Sequence, residues 1–127
     1  FTPEFASPEQ MRGERVTTAT DVYSLGVLLY LLLADRRPYD LRGLTAAEAL
    51  QVVCEREPAA PSAVAPDAAR ARLRGDLDVI VGKALRKDAG DRYAGVSALA
   101  ADLQAWRERR PIAAAPATWA DRASRFV

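Results

Sequence analysis

Histidine is absent from this chain of 127 residues, and cysteine occurs once, at Cys54. Without histidine the common zinc ligand sets cannot be assembled, so no metal site is expected, and a lone thiol closes no internal disulfide. A reduced, cytoplasmic setting follows as the expectation. A charge of one sign is lacking too: 18 Lys and Arg stand against 17 Asp and Glu, a net charge of +1. That balance supplies no general electrostatic reason for nucleic acid as a partner. Nor is there a long hydrophobic run. The most apolar stretch, residues 22–34, contains Tyr23, Ser24 and Gly26 and falls short of the roughly 20 residues a membrane helix needs. It reads as a buried core helix. The opening Phe-Thr-Pro-Glu holds no initiator methionine and no charged-then-apolar leader, so a start inside a larger protein is expected.

What the chain does have is hydrophobic residues, 50% of the total, enough for one modest core in one compact unit. Residues 18–35, TATDVYSLGVLLYLLLAD, are apolar on every side, the pattern of a helix surrounded by other helices. Thr18 followed by Asp21 is the expected cap, with the carboxylate at the positive end of the helix dipole. Pro38 marks where the chain has left this helix. Thr45 with Glu48 forms a second capping box, behind which Ala46, Ala49, Leu50 and Val53 repeat at helical spacing.

Pro58, Pro61 and Pro66 predict a mobile surface connection with one helical turn near 68–73. Leu77, Ile80, Val81, Ala84 and Leu85 then follow the i, i+3, i+4 pattern, with Asp76 as cap and Lys83, Arg86 and Lys87 toward the negative end. Val96, Leu99, Ala100, Leu103 and Trp106 make the stripe of a last helix, opened by Gly95 or Ser97. Pro111 and Pro116 bracket an extended, alanine-rich segment, and WADRASRFV opens a further helix. No stretch alternates as a strand does, and no repeat of solenoid period is present. The fold class is all-α, with four or five main helices bundled around a central hydrophobic one. Residues 1–107 form the folded unit, and 108–127 a linker with the start of a further helix.

Four motifs in order point further. FTPEFASPEQ resembles the end of a protein-kinase activation segment, with Ser7-Pro8-Glu9 in the place of its Ala/Ser-Pro-Glu signature. Asp21-Val22-Tyr23-Ser24-Leu25-Gly26 resembles the start of the central C-lobe helix, Arg36-Arg37-Pro38-Tyr39 follows it, and KALRKDAGDRY ends the series in Asp91-Arg92-Tyr93. The resemblance covers most of the chain from Thr2 to Leu103. It is to the bacterial serine/threonine protein kinases, and it implies the distal part of the kinase C lobe. The tail from Trp106 resembles the segment after the kinase domain in one bacterial branch, whose members often continue into a membrane helix or helical repeats.

The resemblance assigns roles. Glu9 and Arg92 correspond to a buried ion pair tying the activation segment to the loop before the last helix. Asp21 corresponds to the carboxylate that receives backbone hydrogen bonds from the catalytic loop; with that loop outside the chain, it is expected to face water. Thr2 matches the threonine that contacts the catalytic groups and helps select an aliphatic hydroxyl, while Pro3, Glu4 and Phe5 complete the substrate platform. Leu28 and Leu32 match positions supporting the hydrophobic stack under the adenine ring. Leu31 stands where many kinases carry a glutamate that recognises a basic substrate residue, and Tyr23 where tryptophan is frequent.

A kinase also needs a glycine-rich loop, a strand lysine paired with a helix glutamate, a catalytic-loop aspartate and asparagine, and an Asp-Phe-Gly. None lies within these 127 residues. The expectation is therefore a parent that binds ATP and Mg2+ and phosphorylates protein Ser/Thr hydroxyls. The chain itself would be a scaffold without catalytic, ATP-binding or metal-binding residues, partnered by the missing N lobe and catalytic loop. The missing half would leave an apolar patch on the 22–34 helix and a tendency to associate. The competing reading is a non-catalytic helical interaction module using the surface around 45–55.

Overall fold

The computed structural model describes residues 3–114, and every regular element among them is helical. A short 3-10 turn, Pro3–Phe5, leads into α1 (Pro8–Met11). The long α2 (Thr18–Ala34) follows, then α3 (Ala46–Glu55), α4 (Pro61–Val64), α5 (Asp67–Leu73), α6 (Asp76–Ala84), a second 3-10 turn (Ala89–Asp91) and α7 (Val96–Arg107). The expected all-helical bundle around a central helix is borne out, with three short helices besides the four long ones among the described residues.

The axis is α2, which packs against α4, α5, α6 and α7. Val22, Tyr23, Val27, Tyr30 and Ala34 from α2 meet Leu77, Ile80, Val81 and Ala84 of α6, together with Leu85, Tyr93 and Leu99. Each fully buried aliphatic side chain contributes about 1.5–3 kcal/mol. The two helices come together at Gly26, where an added Cβ would lie 2.9 Å from the Ala84 Cβ and 2.9 Å from a Leu85 methyl. Glycine is what permits that approach.

The expectation that α2 is surrounded is corrected. Leu28 is 42% and Leu32 70% exposed, because no described residue lies over that side, and the apolar patch foreseen there is present. The α2 cap also sits one residue earlier than read: Thr17 is the N-cap, and its N–H donates to the Thr20 hydroxyl at 3.0 Å. At the other end Asp35 closes the helix in the left-handed region, φ 58°. Thr45 and Glu48 form the reciprocal capping box foreseen for α3, at 3.1 and 2.9 Å. The cap of α6 is Gly75 rather than Asp76, since its φ of 97° is a conformation glycine alone adopts freely.

In the proline-rich connection the helical turn expected near 68–73 is present as α5, and the departure is its placement on the core rather than on the surface. The connection carries two helices, α4 and α5, and is seated on the core, with Pro61, Ala65 and Leu73 buried. Tyr30 donates its hydroxyl proton to the Ala59 carbonyl at 2.8 Å, and the Asp78 carboxylate accepts from the Ser62 N–H at 3.0 Å and from its hydroxyl. Small and rigid side chains let this stretch lie close against α2, where bulkier ones would hold it off. The further helix read at 119–127 lies outside the described residues.

Candidate functional site: a buried arginine node

Local chemistry first places Glu9. Ser7 caps α1 in a reciprocal box with Gln10, at 2.9 and 3.2 Å, and Pro8 occupies the first helical position. Pro8 has no N–H to leave unsatisfied there, and Glu9 then sits in the first turn, at the positive end of the helix. Its side chain turns inward, and the residue is 8% exposed.

Arg92 arrives from the far end of the chain, just after the 3-10 turn at Ala89–Asp91. Its side chain is fully buried, and all of its N–H donors are used. Nη1 donates to Glu9 Oε2 at 2.7 Å and to the Ala19 carbonyl at 3.0 Å. Nη2 donates to Glu9 Oε1 at 2.8 Å and to the Lys87 carbonyl at 3.1 Å, and Nε to the Arg86 carbonyl at 2.7 Å. The planar fork matches the carboxylate in two parallel bonds. The guanidinium also lies over the Tyr23 ring, 4.9 Å from its centroid. From α2, the Thr20 hydroxyl donates to Glu9 Oε2 at 2.8 Å.

One ion pair therefore joins α1, the first turn of α2, the end of α6 and the approach to α7. Burial by itself would raise the Glu9 pKa; the hydrogen bonds from Arg92 and Thr20 and the charge of Arg92 outweigh it and hold the carboxyl down at about 2. The Glu9 carboxyl is therefore ionised at neutral pH, and every N–H of the Arg92 guanidinium has an acceptor. The node is a rigid tie.

Two further polar groups were not singled out from the sequence. The Lys87 ammonium donates to the Tyr39 hydroxyl and, at 2.6 Å, to the Val53 carbonyl near the end of α3, and it lies 4.5 Å from the centre of the Tyr39 ring. Burial lowers its pKa to about 8. Asp102 on α7 accepts from the Tyr93 hydroxyl at 2.7 Å and from the Ala113 and Ala114 N–H groups at 2.7 and 3.0 Å. The signal for Asp102 was in the sequence: a carboxylate between Leu99 and Trp106, on the apolar stripe itself, needs buried donors.

The remaining candidates lie on the surface. Glu4 borders an open hollow of about 470 Å³ shared with Leu31, Arg36, Arg37 and Tyr39, and the Arg37 guanidinium sits 5.9 Å from the Phe5 ring centre. Pro3 is exposed, and Asp21 is exposed at the start of α2. Thr2 lies outside the described residues. So the fold brings Glu9, Arg92 and Thr20 together and leaves Asp21, Leu28 and Leu32 open to solvent. Among the described residues no group of three acidic or sulfur side chains is placed to hold a metal, and no helix is long and apolar enough to cross a membrane.

Comparison with known proteins places this arrangement. No family model matches the chain. It is 39% identical over 116 residues to a "probable serine/threonine-protein kinase" of Streptomyces coelicolor, a match that takes in 91% of this chain and 16% of that protein. It is 34% identical to the serine/threonine-protein kinase pkn3 of Myxococcus xanthus, over 91% of this chain and 20% of that one. To PknB of Mycobacterium smegmatis it is 38% identical, over 80% and 15%. The chain thus spans no more than about a fifth of the length of these relatives. Among solved structures, the autoinhibited serine kinase domain of the giant muscle protein titin superposes with a TM-score of 0.62 at 23% identity, covering 98% of this chain and 37% of that one. That likeness is one of fold.

Proposed function

Starting from a chain that belongs to the serine/threonine-protein kinases as a distal part of their C lobe, we propose that it is the scaffold of a bacterial kinase transferring the γ-phosphate of ATP to Ser or Thr hydroxyls of proteins. The observation that carries this reading is the Glu9–Arg92 tie with Thr20. It anchors the segment leading out of Pro3–Phe5 onto the central helix, so that the surface beside it is held in one position. Phosphoryl transfer depends on positioning and charge neutralisation more than on covalent chemistry. A rigid platform is what such a scaffold contributes.

In this reading Thr2, Pro3, Glu4 and Phe5 face the protein substrate. Asp21, exposed here, receives the catalytic loop, and Leu28 and Leu32 support the parts of the domain that carry the nucleotide. ATP and Mg2+ are held by elements that these residues do not supply. They provide the charge neutralisation, while this chain holds the platform and moves no proton.

The test joins the chain to the coding sequence upstream of Phe1 and measures phosphate transfer from labelled ATP to a protein mixture. Transfer by the joined protein, with none by the 127 residues alone, is the expected result. A joined protein without an HRD-type loop and Asp-Phe-Gly, and without transfer, would favour the helical interaction module instead.

A further inference from the structure

Lys83 and Lys87 are the lysines of this chain, among 18 basic residues in all. Lys87 is half-buried and bonded at both of its ends. Its carbonyl accepts from Arg92 Nη2 at 3.1 Å, within the buried node. Its ammonium donates to the Val53 carbonyl at 2.6 Å and to the Tyr39 hydroxyl, which in turn donates to the Arg56 carbonyl at 2.9 Å. Val53 and Arg56 stand at the C-terminal end of α3, where carbonyls lack helical partners and positive charge is favoured. One residue thus couples the Glu9–Arg92 pair to the end of α3.

An open hollow of about 380 Å³ borders Lys87, lined also by Glu9, Arg12, Glu14, Asp88 and Ala89. An ammonium has three N–H bonds, and two of these are placed on Tyr39 and Val53. Loss of one proton leaves both hydrogen bonds in place and turns the third position into a lone pair. Burial favours that loss and brings the pKa to about 8 against 10.5 unperturbed; Arg92 acts with it, while Glu57 and Cys54 oppose it. At about pH 7.5 roughly a quarter of such amines are neutral, against about one in a thousand for an ordinary lysine. A desolvated amine of this kind is a nucleophile near neutral pH.

We propose that Lys87 is an acylation site, taking a small uncharged acyl group from a thioester, and that its acylation releases the end of α3. The amine nitrogen attacks the thioester carbonyl carbon. The C–S bond breaks, the thiolate leaves with the electron pair, and the surplus proton of the nitrogen passes to solvent. Around the hollow Glu9, Glu14 and Asp88 set three carboxylates against Arg12. An acetyl thioester of a neutral thiol suits such a place, whereas an acyl phosphate or a succinyl group brings further negative charge. The amide product keeps one N–H and no charge, so the Val53 carbonyl and the Tyr39 hydroxyl can no longer both be held. The inference rests on the chain of 127 residues and not on the kinase reading.

The experiment incubates the full chain with the acetyl thioester of N-acetylcysteamine and follows acetylation residue by residue by peptide mass spectrometry. The chain unfolded in guanidinium chloride is the reference. At about pH 7.5 Lys87 of the folded chain should react several-fold faster than in the unfolded one, with a rate that levels off above about pH 8. Relative to the same reference, acetyl phosphate and the corresponding succinyl thioester should be slower. In the acetylated chain amide exchange at 53–56 should accelerate several-fold, and Lys87→Gln should reproduce that acceleration. A folded Lys87 that reacts no faster than the unfolded one overturns the proposal, as does a preference for acetyl phosphate or the succinyl group. Exchange at 53–56 unchanged by acetylation overturns the release of α3.

Discussion

The carboxylate of Glu9 accepts two hydrogen bonds from the guanidinium of Arg92, 83 residues further along the chain, at 2.7 and 2.8 Å. Removing one partner leaves the other charged and buried. Glu9→Gln and Arg92→Ala should each lower the unfolding free energy by about 3–5 kcal/mol in urea titrations. Arg92→Lys should recover little of this, because an ammonium cannot reproduce a planar fork that reaches Glu9 and three carbonyls. Losses under 1 kcal/mol would show that the pair does not hold the fold.

The same pair sets an acid limit. The Glu9 carboxyl titrates at about 2 in the folded chain against 4.5 when unperturbed. A depressed carboxylate contributes stability that is fully present above the unfolded value and is lost as pH falls toward the folded one. Stability should therefore fall between about pH 4.5 and pH 2, with Asp102, also lowered, acting in the same direction. Thermal melts of Glu9→Gln across this range should slope less steeply than those of the unchanged chain.

Asp102 is the test of the chain reversal after α7. Asp102→Ala leaves the Tyr93 hydroxyl and the Ala113 and Ala114 N–H groups without their acceptor. Each donor that stays buried costs about 1–3 kcal/mol. Tyr93→Phe removes one bond only and should cost less. Hydrogen exchange at Ala113 and Ala114 should accelerate in Asp102→Ala and remain slow in Tyr93→Phe.

Gly26→Ala adds one methyl where Ala84 and Leu85 already stand 2.9 Å away. Overpacking of this kind costs about 1–3 kcal/mol. Chemical denaturation should place Gly26→Val below Gly26→Ala. By contrast Gly82, around whose Cβ position there is open space, should accept alanine with no loss and the small gain that helix propensity gives.

Much of this molecule was legible along the chain because local chemistry decides it. The apolar run of α2, the Thr45–Glu48 box of α3 and the stripes of α6 and α7 are each properties of a few neighbouring residues, and each appears where it was read. The caps of α2 and α6 were displaced by one residue, since adjacent Thr17 and Thr18 can both cap α2, while at α6 the positive φ of Gly75 places the helix start one residue earlier. The Glu9–Arg92 pairing was readable only through a resemblance; nothing local in either residue says that the other exists. Lys87 and Asp102 gave weaker signals, one as an ordinary lysine at a helix end and one as a carboxylate on an apolar stripe.

By itself, then, the sequence determined an all-helical chain with one central hydrophobic axis, because helical periodicity and capping act over three or four residues. Tertiary structure decided which charges are buried together, that a proline-rich connection packs as part of the core, and that one side of α2 stays open beside α7. Those outcomes depend on which surfaces meet across long stretches of chain, from the 29 residues between Tyr30 and Ala59 to the 83 between Glu9 and Arg92. Burial, which turns Glu9 and Arg92 from two ordinary charges into a tie, exists only once they have met.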